Sequence, residues 1–411
     1  MAGTTPPAPD APAPAPSAPR SVLLGVPRWT RDGGISAHVQ VSAAVLAGRG
    51  LDVRVMAARV EPGDAPAGVT VYRCPELFKS EAPMQERLGE ALSFAPDVVH
   101  LHQVDLPEVV AALRARAAVV VSAHVYAACT SGLYYFRPGQ ECTRAHGPAC
   151  VPNLLARGCA HTRNLASLPA RYRGASRRLE ALRGADLVIS YSGAIDRHLA
   201  ANGLARRRVV PLPATVAPPA QAAEASRPRV LFAGRIVAQK GVAVLIRAAR
   251  ELDAELVICG EGRELPAMRR LAQRAGVAGR VTFTGWLDAE QLAREFAAAS
   301  VVAMPSLWPE PFGLVGIEAF AAGKPVVASD TGGVREWLDD GVSGLCVRPG
   351  DARALARALA ELLGDRERAR AMGAAGRRLA RERFSPQRHL EALLDAYAQA
   401  RLSWGSRRAD R

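Results

Sequence analysis

EPFGLVGIEAFAAGKPVVAS, residues 310–329, is the stretch of this sequence that decides the fold. It places two glutamates, Glu310 and Glu318, around a turn that contains Gly313, and a helical pattern then leads into a short strand over 325–328. The first backbone N–H groups of a helix have no partner inside the helix, and together with the helix dipole they attract an anion. The stretch therefore predicts a helix whose N-terminus faces an anionic ligand.

The composition predicts a globular protein of two domains. The chain has 411 residues, of which 49% are hydrophobic and 22% are charged, and a single domain usually contains about 100–200 residues. No apolar run reaches the roughly 18 residues that a membrane span needs. Residues 1–20 are rich in Pro and Ala and lack the apolar segment of a signal peptide, so they predict a disordered tail. We therefore expect a cytoplasmic protein.

The positive charge comes almost entirely from arginine. The formal net charge is +14, and only Lys79, Lys240 and Lys324 are lysines. No zinc-finger spacing or aromatic RNA-binding motif accompanies this charge, so we expect no specific nucleic-acid partner. Residues 157–183 contain seven arginines and a single acid, Glu180. This local excess predicts a basic face for an anionic membrane surface or an anionic acceptor, and possible membrane association of the protein.

Apolar strands alternate with helical patterns in both halves, which predicts an α/β fold with two parallel sheets, each covered by helices on both faces. Residues 211–228 are rich in Pro and Ala and lack apolar periodicity, as in a linker between domains. In open parallel sheets the ligand lies at the carboxyl ends of the strands. We therefore expect the site in a cleft between two Rossmann-like domains. The predicted boundaries are a tail at 1–20, a first domain at 21–212, a linker at 213–228, a second domain at 229–385, and a helix with a basic tail at 386–411 that could cross back to the first domain.

Three stretches of the second half are recognisable: GRIVAQKG (234–241), VICGEGREL (257–265) and PSLWPEPFGLVGIEAFAAGKPVVASDTGGVREWLDDGVSGLCV (305–347). They resemble the donor-binding domain of the retaining glycosyltransferases of family 4, also called group 1. The third contains the family signature of two glutamates with seven residues between them. The first half is similar through its Gly-Gly turn, DVVHLH (97–102) and SAH (122–124). The resemblance implies the GT-B architecture and transfer of a sugar from a nucleoside-diphosphate sugar to an unidentified acceptor.

The chemistry of sugar transfer explains these residue types. Negative charge grows on the departing diphosphate, and positioned donors stabilise it. An arginine fork and a lysine point charge suit a diphosphate, and the resemblance implies that Arg235 and Lys240 contact it. The resemblance also implies that Glu310 holds the donor sugar, that Glu318 accepts hydrogen bonds from the ribose, and that His124 touches the sugar or its attacking face. A core or surface position for His124 remains the alternative, and we expect His100 and His102 to be structural.

The remaining predicted contacts are backbone groups, glycines and one tryptophan. Gly33 and Gly34 permit a close approach from the opposing domain, and Trp286 could border the base. The full predicted donor and nucleotide set is Gly33, Gly34, Gly234, Gly260, Gly262, Trp286, Phe312, Gly313, Leu314 and Glu318. No Asp-x-Asp metal motif occurs, so we expect neither a required metal nor another cofactor.

Four cysteines, Cys129, Cys142, Cys150 and Cys159, fall within one predicted loop. Their spacing contains no C-x-x-C pair, so structural thiols, a bound metal and disulfides all remain alternatives. The fold also hosts other functions. A nucleotide-sugar epimerase and a non-catalytic nucleotide-sugar-binding protein therefore remain the alternative functions.

Overall fold

The computed structural model describes residues 18–30, 33–61, 65–75, 92–103, 106–132, 135–137, 140–156, 159, 165–215 and 227–409. Most of the predicted tail lies outside the described residues, as do positions 216–226 of the predicted linker. The same holds for 157–158 and 160–164, which form the start of the arginine-rich segment.

The first domain is built around a parallel sheet. Its strands are β1 (Ser21–Trp29), β2 (Asp52–Val60), β3 (Val69–Arg73), β4 (Val98–His102), β5 (Ala118–Ala123), β8 (Leu187–Ser190) and β9 (Arg207–Val209), and a small antiparallel hairpin contains β6 (Tyr135–Arg137) and β7 (Gln140–Glu141). The helices are α1 (Gly34–Gly48), α2 (Pro107–Arg114), α3 (Cys150–Ala156), α4 (Leu168–Gly184) and α5 (Gly193–Ala201). Within the described residues the sheet has the order β3-β2-β1-β4-β5-β8-β9.

The second domain repeats this arrangement. Its strands are β10 (Arg229–Ala233), β11 (Glu255–Cys259), β12 (Val281–Gly285), β13 (Val301–Met304), β14 (Val326–Ser329) and β15 (Gly344–Val347), in the order β12-β11-β10-β13-β14-β15. The helices are α6 (Val242–Ala248), α7 (Leu265–Arg274), α8 (Ala289–Ala298), α9 (Leu314–Ala321), α10 (Ala352–Gly364), α11 (Arg366–Arg383) and α12 (Pro386–Ala409). The predicted α/β fold with two Rossmann-like domains is therefore confirmed.

The central strands explain the apolar runs in the sequence. Strands β4, β5, β13 and β14 are buried along their whole length, since helices cover both faces of each sheet. In each domain the first strand lies between the second strand of that domain and a later one, so the strand order reverses beside β1 and β10. Ligands of such sheets bind beyond the carboxyl ends of the strands at this reversal. The loops after β1 and β10 are therefore the natural walls of the cleft.

Helix α12 returns to the first domain, as the sequence predicted. It packs against β4, β5, β8 and α1. The Tyr397 hydroxyl lies 2.9 Å from His100 Nδ1, and Trp404 Nε1 donates to the carbonyl of Arg114 at 2.8 Å. The helix continues to Ala409, so basic residues that we expected in a tail belong to it; Arg407 lies 3.2 Å from the buried Asp186 carboxylate.

The two chain crossings between the domains lie side by side. The N–H of Ala214, on the outward crossing, donates to the carbonyl of Phe384, on the return crossing, at 3.1 Å. His389 Nδ1 lies 2.8 Å from the carbonyl of Pro211. The crossings therefore form one narrow connection at the edge of the cleft.

None of the described helices combines the length and the apolarity that a membrane span needs.

Candidate functional site

Helix α9 begins at the cleft because of two glycines and a tryptophan. Gly313 precedes the helix with a φ of 100°, in the left-handed region that side chains other than glycine rarely adopt. A Cβ at this position would also lie 3.0 Å from Met304 Cε and 3.3 Å from Trp337 Cζ2. Gly316, one turn on, packs so closely on Trp337 that a Cβ there would overlap the indole ring. These contacts fix the N-terminus of α9, which starts at Leu314.

The turn before α9 is fixed through three consecutive carbonyl groups, those of residues 310, 311 and 312. Each accepts a hydrogen bond, two of them from residues of the segment 333–337 and one from the first domain. The donors are the N–H of Gly333 to Glu310 at 2.8 Å, the hydroxyl of Ser192 to Pro311, and Trp337 Nε1 to Phe312 at 2.6 Å. The conformation of the turn is therefore set by its surroundings, including one residue of the first domain.

A buried ion pair lies at the start of this turn. Lys240 Nζ is 2.6 Å from Glu310 Oε1, and only 3% of the Glu310 side chain is exposed. The hydroxyl of Ser306 also donates to Glu310. Burial alone would raise the pKa of Glu310, but the charge and hydrogen bond of Lys240, with the hydrogen bond of Ser306, hold it below its ordinary value. Glu310 is therefore an ionised carboxylate in a fixed position.

The loops that follow β10 and β11 are held against each other. Gly234 donates to the carbonyl of Cys259 at 2.9 Å, and Ile236 donates to that of Glu261 at 2.7 Å. Gly260 makes this approach possible, because its φ is 133° and a Cβ there would lie 2.0 Å from the Gly234 carbonyl oxygen. These loops also place Gly262 beside Ile236, Arg235 at an exposed position, and Lys240 within reach of Glu310. Trp286 follows β12, and 46% of it is exposed.

Glu318 occupies a different environment, one turn into α9. Its side chain is buried, and the hydroxyl of Thr215 donates to its Oε1. Burial raises the pKa of Glu318 to about 7, even though the hydrogen bond from Thr215 acts in the opposite direction. The two glutamates of the signature therefore differ: Glu310 is firmly ionised, whereas Glu318 changes charge near neutral pH.

The Gly-Gly turn of the first domain faces α9. Gly33 is the N-cap residue of α1 with a φ of 93°, and Gly34 is the first residue of that helix. A Cβ on Gly34 would lie 3.7 Å from Cδ2 of Leu314. The structure thus brings the predicted residues of the two domains together, with the N-termini of α1 and α9 opposite each other across the cleft.

Three hydrogen-bonded contacts join the first domain to the segments 310–312 and 332–336, and we call them the interdomain clasp. The Ser192 hydroxyl donates to the Pro311 carbonyl. The Glu336 carboxylate accepts from the first two N–H groups of α5, those of Gly193 and Ala194, at 2.7 and 2.9 Å. Glu141 in the β6–β7 hairpin accepts from the N–H of Gly332 at 2.8 Å. The clasp holds the domains together beside the turn that precedes α9.

His124 lies after β5 within a cluster of imidazole rings. Its Nε2 is 2.8 Å from Nδ1 of His102, and its ring centroid is 4.8 Å from that of Tyr191. Burial lowers the pKa of His124 to about 3, so the ring is neutral at ordinary pH. His100 and His102 are fully buried in β4, and His100 Nε2 lies 2.6 Å from the Ser122 hydroxyl. The ring and hydrogen-bond contacts described for His124 are all with residues of the first domain.

Two family models cover both halves of the chain. The model described as "Glycosyl transferases group 1" matches residues 217–379, and the model described as "Glycosyl transferase 4-like domain" matches residues 33–215. The chain belongs to the group 1 glycosyltransferases, also called family 4. The second model covers the Gly-Gly turn and the histidine cluster, and the first covers Lys240 and both glutamates.

Curated relatives of this group 1 glycosyltransferase match part of its length. The "GDP-mannose-dependent alpha-(1-6)-phosphatidylinositol monomannoside mannosyltransferase" of Mycobacterium tuberculosis is 43% identical over 162 residues, which are 37% of this chain and 42% of that protein. The "D-inositol 3-phosphate glycosyltransferase" of Nocardia farcinica is 41% identical over 191 residues, which are 42% of this chain and 41% of that protein. The chain thus spans about two fifths of the length of these relatives.

Solved structures are similar over nearly the whole chain. A sucrose-phosphate synthase from Thermosynechococcus elongatus has a TM-score of 0.69 and 24% identity, and the match covers 92% of this chain and 98% of that one. A glycosyltransferase from Rickettsia africae has a TM-score of 0.68 and 17% identity, with the same coverage. These similarities show the GT-B fold of the group 1 glycosyltransferase.

The cysteines of this glycosyltransferase are free thiols. Cys129 and Cys142 pack against the apolar core of the first domain. Burial raises the pKa of Cys142 and raises that of Cys159 to about 11, so both are uncharged thiols. Among the described residues, no three His, Cys, Asp or Glu side chains have an arrangement that could hold a metal ion. The packing of Cys129 and Cys142 against the core is the environment expected of structural thiols.

Sequence reasoning missed the residues that reach the site from elsewhere in the chain. Thr215 lies in the predicted linker, and nothing in a Pro- and Ala-rich segment indicates a partner for Glu318. Ser192 carries one readable signal, since its hydroxyl caps α5 by accepting from the N–H of Ile195 at 3.1 Å. Its second contact, with Pro311, is 119 residues away and has no sequence signal.

Proposed function

We propose that this glycosyltransferase moves a sugar from a nucleoside-diphosphate sugar to an acceptor, with retention of the anomeric configuration. The observation that carries the proposal is the buried Lys240–Glu310 pair beside the N-terminus of α9. A cation, a fixed carboxylate and the N–H groups of a helix terminus together suit a sugar linked to a diphosphate. The Mycobacterium tuberculosis relative is GDP-mannose-dependent by its name, so GDP-mannose is the first donor to try.

Each residue would have a distinct part in the reaction. The bond between the anomeric carbon and the diphosphate oxygen breaks, a bond to the acceptor oxygen forms, and the proton of the acceptor hydroxyl goes to the departing diphosphate. Lys240, Arg235 and the N–H groups at the start of α9 would stabilise the charge on the departing diphosphate. Glu310 would hold the sugar, and Glu318 would accept from the ribose. His124 is neutral, so it would act as a hydrogen-bonding group on the sugar and not as a charged one.

The remaining predicted positions would form the walls of the donor site. Gly33 and Gly34 would approach the diphosphate from the first domain, and Gly234, Gly260 and Gly262 would shape the nucleotide pocket. Trp286 is exposed beyond β12 and would border the base.

We propose that no metal ion is required, because two cations and a helix terminus would meet the diphosphate directly. Full turnover after treatment with EDTA is the expected result, and restoration by an added divalent cation would contradict it.

A nucleotide-sugar screen tests the function. A ligand that binds the folded state raises the melting temperature, so we expect stabilisation by GDP-mannose or UDP-glucose and none by free mannose. The stabilising donor is then incubated with phosphatidylinositol and with inositol phosphate, and the glycosylated product is detected by mass. Consumption of the donor without transfer, or conversion of its sugar to an epimer, would contradict the proposal. No effect of any nucleotide sugar would contradict it as well.

The acceptor side includes the arginine-rich segment, part of which is α4. Of its described arginines, Arg177 is 2.5 Å from Glu108, and Arg178 and Arg183 donate to carbonyl groups of Ala127 and Asn202. Some of these arginine side chains are therefore paired within the protein. Fewer of them are available to contact a membrane than the seven in the sequence suggest. We propose a weak and reversible association with anionic lipid.

We predict that the chain sediments with anionic vesicles at low salt and is released at high salt. Each basic residue near such a surface contributes about 1 kcal/mol, and salt screens it. Replacing Arg171 and Arg173 on α4 by glutamine is expected to lower the bound fraction, whereas replacing the exposed Arg353 and Arg357 on α10 is the matched control. Equal sedimentation with neutral and anionic vesicles would rule the association out.

A further inference from the structure

The turn that leads into α9 has a feature that the proposed reaction does not yet use. Its three consecutive carbonyl groups, at residues 310–312, each accept a hydrogen bond. Two of the donors, Gly333 and Trp337, belong to the second domain. The third, Ser192, is the N-cap residue of α5 in the first domain, so the conformation of the turn depends on the position of the other domain.

Because the peptide group is planar, the contact between Ser192 and the Pro311 carbonyl also determines the direction of the Phe312 N–H group. In a trans peptide the C=O and the following N–H point in opposite directions, and the peptide between Pro311 and Phe312 is trans. Because the Pro311 carbonyl points to the Ser192 hydroxyl, the N–H of Phe312 points away from α5. The carbonyl of Phe312 points to Trp337, which fixes the N–H of Gly313 in the same way.

We propose that Ser192 is a positioning residue for the transfer reaction, which directs the Phe312 N–H toward the diphosphate of the donor. This inference rests on the proposed function. Ser192 touches neither the sugar nor the phosphates; it acts through the Pro311–Phe312 peptide. The anion site at the start of α9 is therefore complete only while the two domains are in contact.

Glu336 keeps Ser192 in place for this task. Its carboxylate accepts from the N–H groups of Gly193 and Ala194, which directly follow Ser192. A carboxylate at a helix N-terminus is stabilised by the helix dipole as well as by these hydrogen bonds. Glu336 belongs to the second domain. The start of α5 and the turn region are therefore joined by two contacts: the Ser192 hydroxyl donates to the turn, and the Glu336 carboxylate accepts from α5. Opening of the cleft breaks both contacts together.

The test compares three variants with the wild type, using GDP-mannose and UDP-glucose as donors and GDP and UDP as ligands. Ser192→Ala removes the donor to Pro311, and we expect kcat/KM to fall roughly tenfold, as for one lost hydrogen bond. The dissociation constant of the nucleoside diphosphate is expected to rise with it. Ser192→Thr keeps a hydroxyl and is expected to restore both values. Glu336→Ala is expected to lower kcat/KM by a similar factor. In the double variant with Ser192→Ala, the fall in kcat/KM is expected to be smaller than the product of the two single-variant factors.

A matched control separates positioning from helix capping. Ser192 also caps α5, and Asp351 caps α10 in the same way, by accepting from the N–H of Ala354 at 2.8 Å, away from the clasp. Loss of either cap lowers the melting temperature, but only the Ser192 variant is expected to change kinetics and diphosphate binding. If Ser192→Ala melts like Asp351→Ala and keeps wild-type kcat/KM, the inference is wrong while the proposed function stands. If the wild type binds neither nucleoside diphosphate and transfers neither sugar, both fail.

Discussion

Replacement of Lys240 by alanine is expected to lower kcat about 10²–10³-fold, the usual cost of removing one positioned group that stabilises transition-state charge. Lys240 is the cation that pairs with Glu310 at 2.6 Å, and Glu310 is almost completely buried. The variant therefore removes a charge that would face the diphosphate and also leaves a buried carboxylate without its partner. Arg235→Ala is expected to act in the same direction, without the second effect, because Arg235 is exposed.

The loss of the ion pair gives the Lys240 variant a second signature. The charge of Lys240 is one of the causes that lower the pKa of Glu310, so its removal raises that pKa. Activity of Lys240→Ala is therefore expected to decline at a higher pH than activity of the wild type, as the solution is acidified. Arg247→Ala, at an exposed position of α6, is the control and is expected to retain wild-type turnover. Unchanged kcat in both Lys240→Ala and Arg235→Ala, with intact folding by circular dichroism, would remove these cations from the diphosphate site.

The two glutamates of the signature are expected to differ in their kinetic roles. Glu310 would hold the reacting sugar, whose charge and geometry change during transfer, so Glu310→Gln is expected to lower kcat and kcat/KM together. Glu318 would hold the ribose, which changes little, so Glu318→Gln is expected mainly to raise the donor KM. A hydrogen bond to a charged group contributes roughly 1.5–3 kcal/mol, which corresponds to about a 10- to 150-fold change.

The pKa of Glu318 adds a test that does not depend on magnitudes. Burial raises this pKa to about 7, so the carboxyl is largely neutral below pH 7 and ionised above it. An ionised carboxylate accepts from ribose hydroxyls more strongly, and the donor KM of the wild type is expected to fall as the pH rises from 6 to 8. Glutamine does not titrate, so the Glu318→Gln variant is expected to lose this dependence. The reverse kinetic pattern in the two variants would mean that the two roles are exchanged.

Local sequence patterns were sufficient to predict the fold, because the apolar residues in them are those that the strands and helices bury. The apolar runs that became β4, β5, β13 and β14 must be continuous, since helices cover both faces of each sheet. The hairpin of β6 and β7 was not predicted, because its strands are too short to show alternation. The basic residues near the end of the chain were expected in a tail, but α12 continues through them to Ala409. Its last turns are fixed by Arg407 and Trp404, whose partners lie in the first domain and not in the helix itself.

The candidate site was predictable only where its residues share one segment or one motif. Glu310, Gly313 and Glu318 belong to a single turn and helix, so their spacing carries information about the site. The contacts that fix the turn do not: Glu336 reaches α5 more than 140 residues away, and the sequence contains no signal for the pairing. Burial of Glu318 could not be read either, because its neighbour Thr215 lies in a segment with linker composition.

The return of α12 to the first domain also constrains the order in which the protein can fold during its synthesis. Residues 386–409 cover the sheet of the first domain, and His389, Leu393, Ala396, Tyr397 and Ala400 are fully buried there. Domains usually fold as the ribosome releases them, from the N-terminus onward. Here the first domain leaves the ribosome before α12 exists, so the part of one sheet face formed by β4, β5 and β8 stays uncovered until the whole second domain has been made. A nascent chain halted at residue 385 is thus expected to be cleaved by a protease in the first domain sooner than in the second. The first domain is therefore synthesised first, but it is completed only when α12 packs on it.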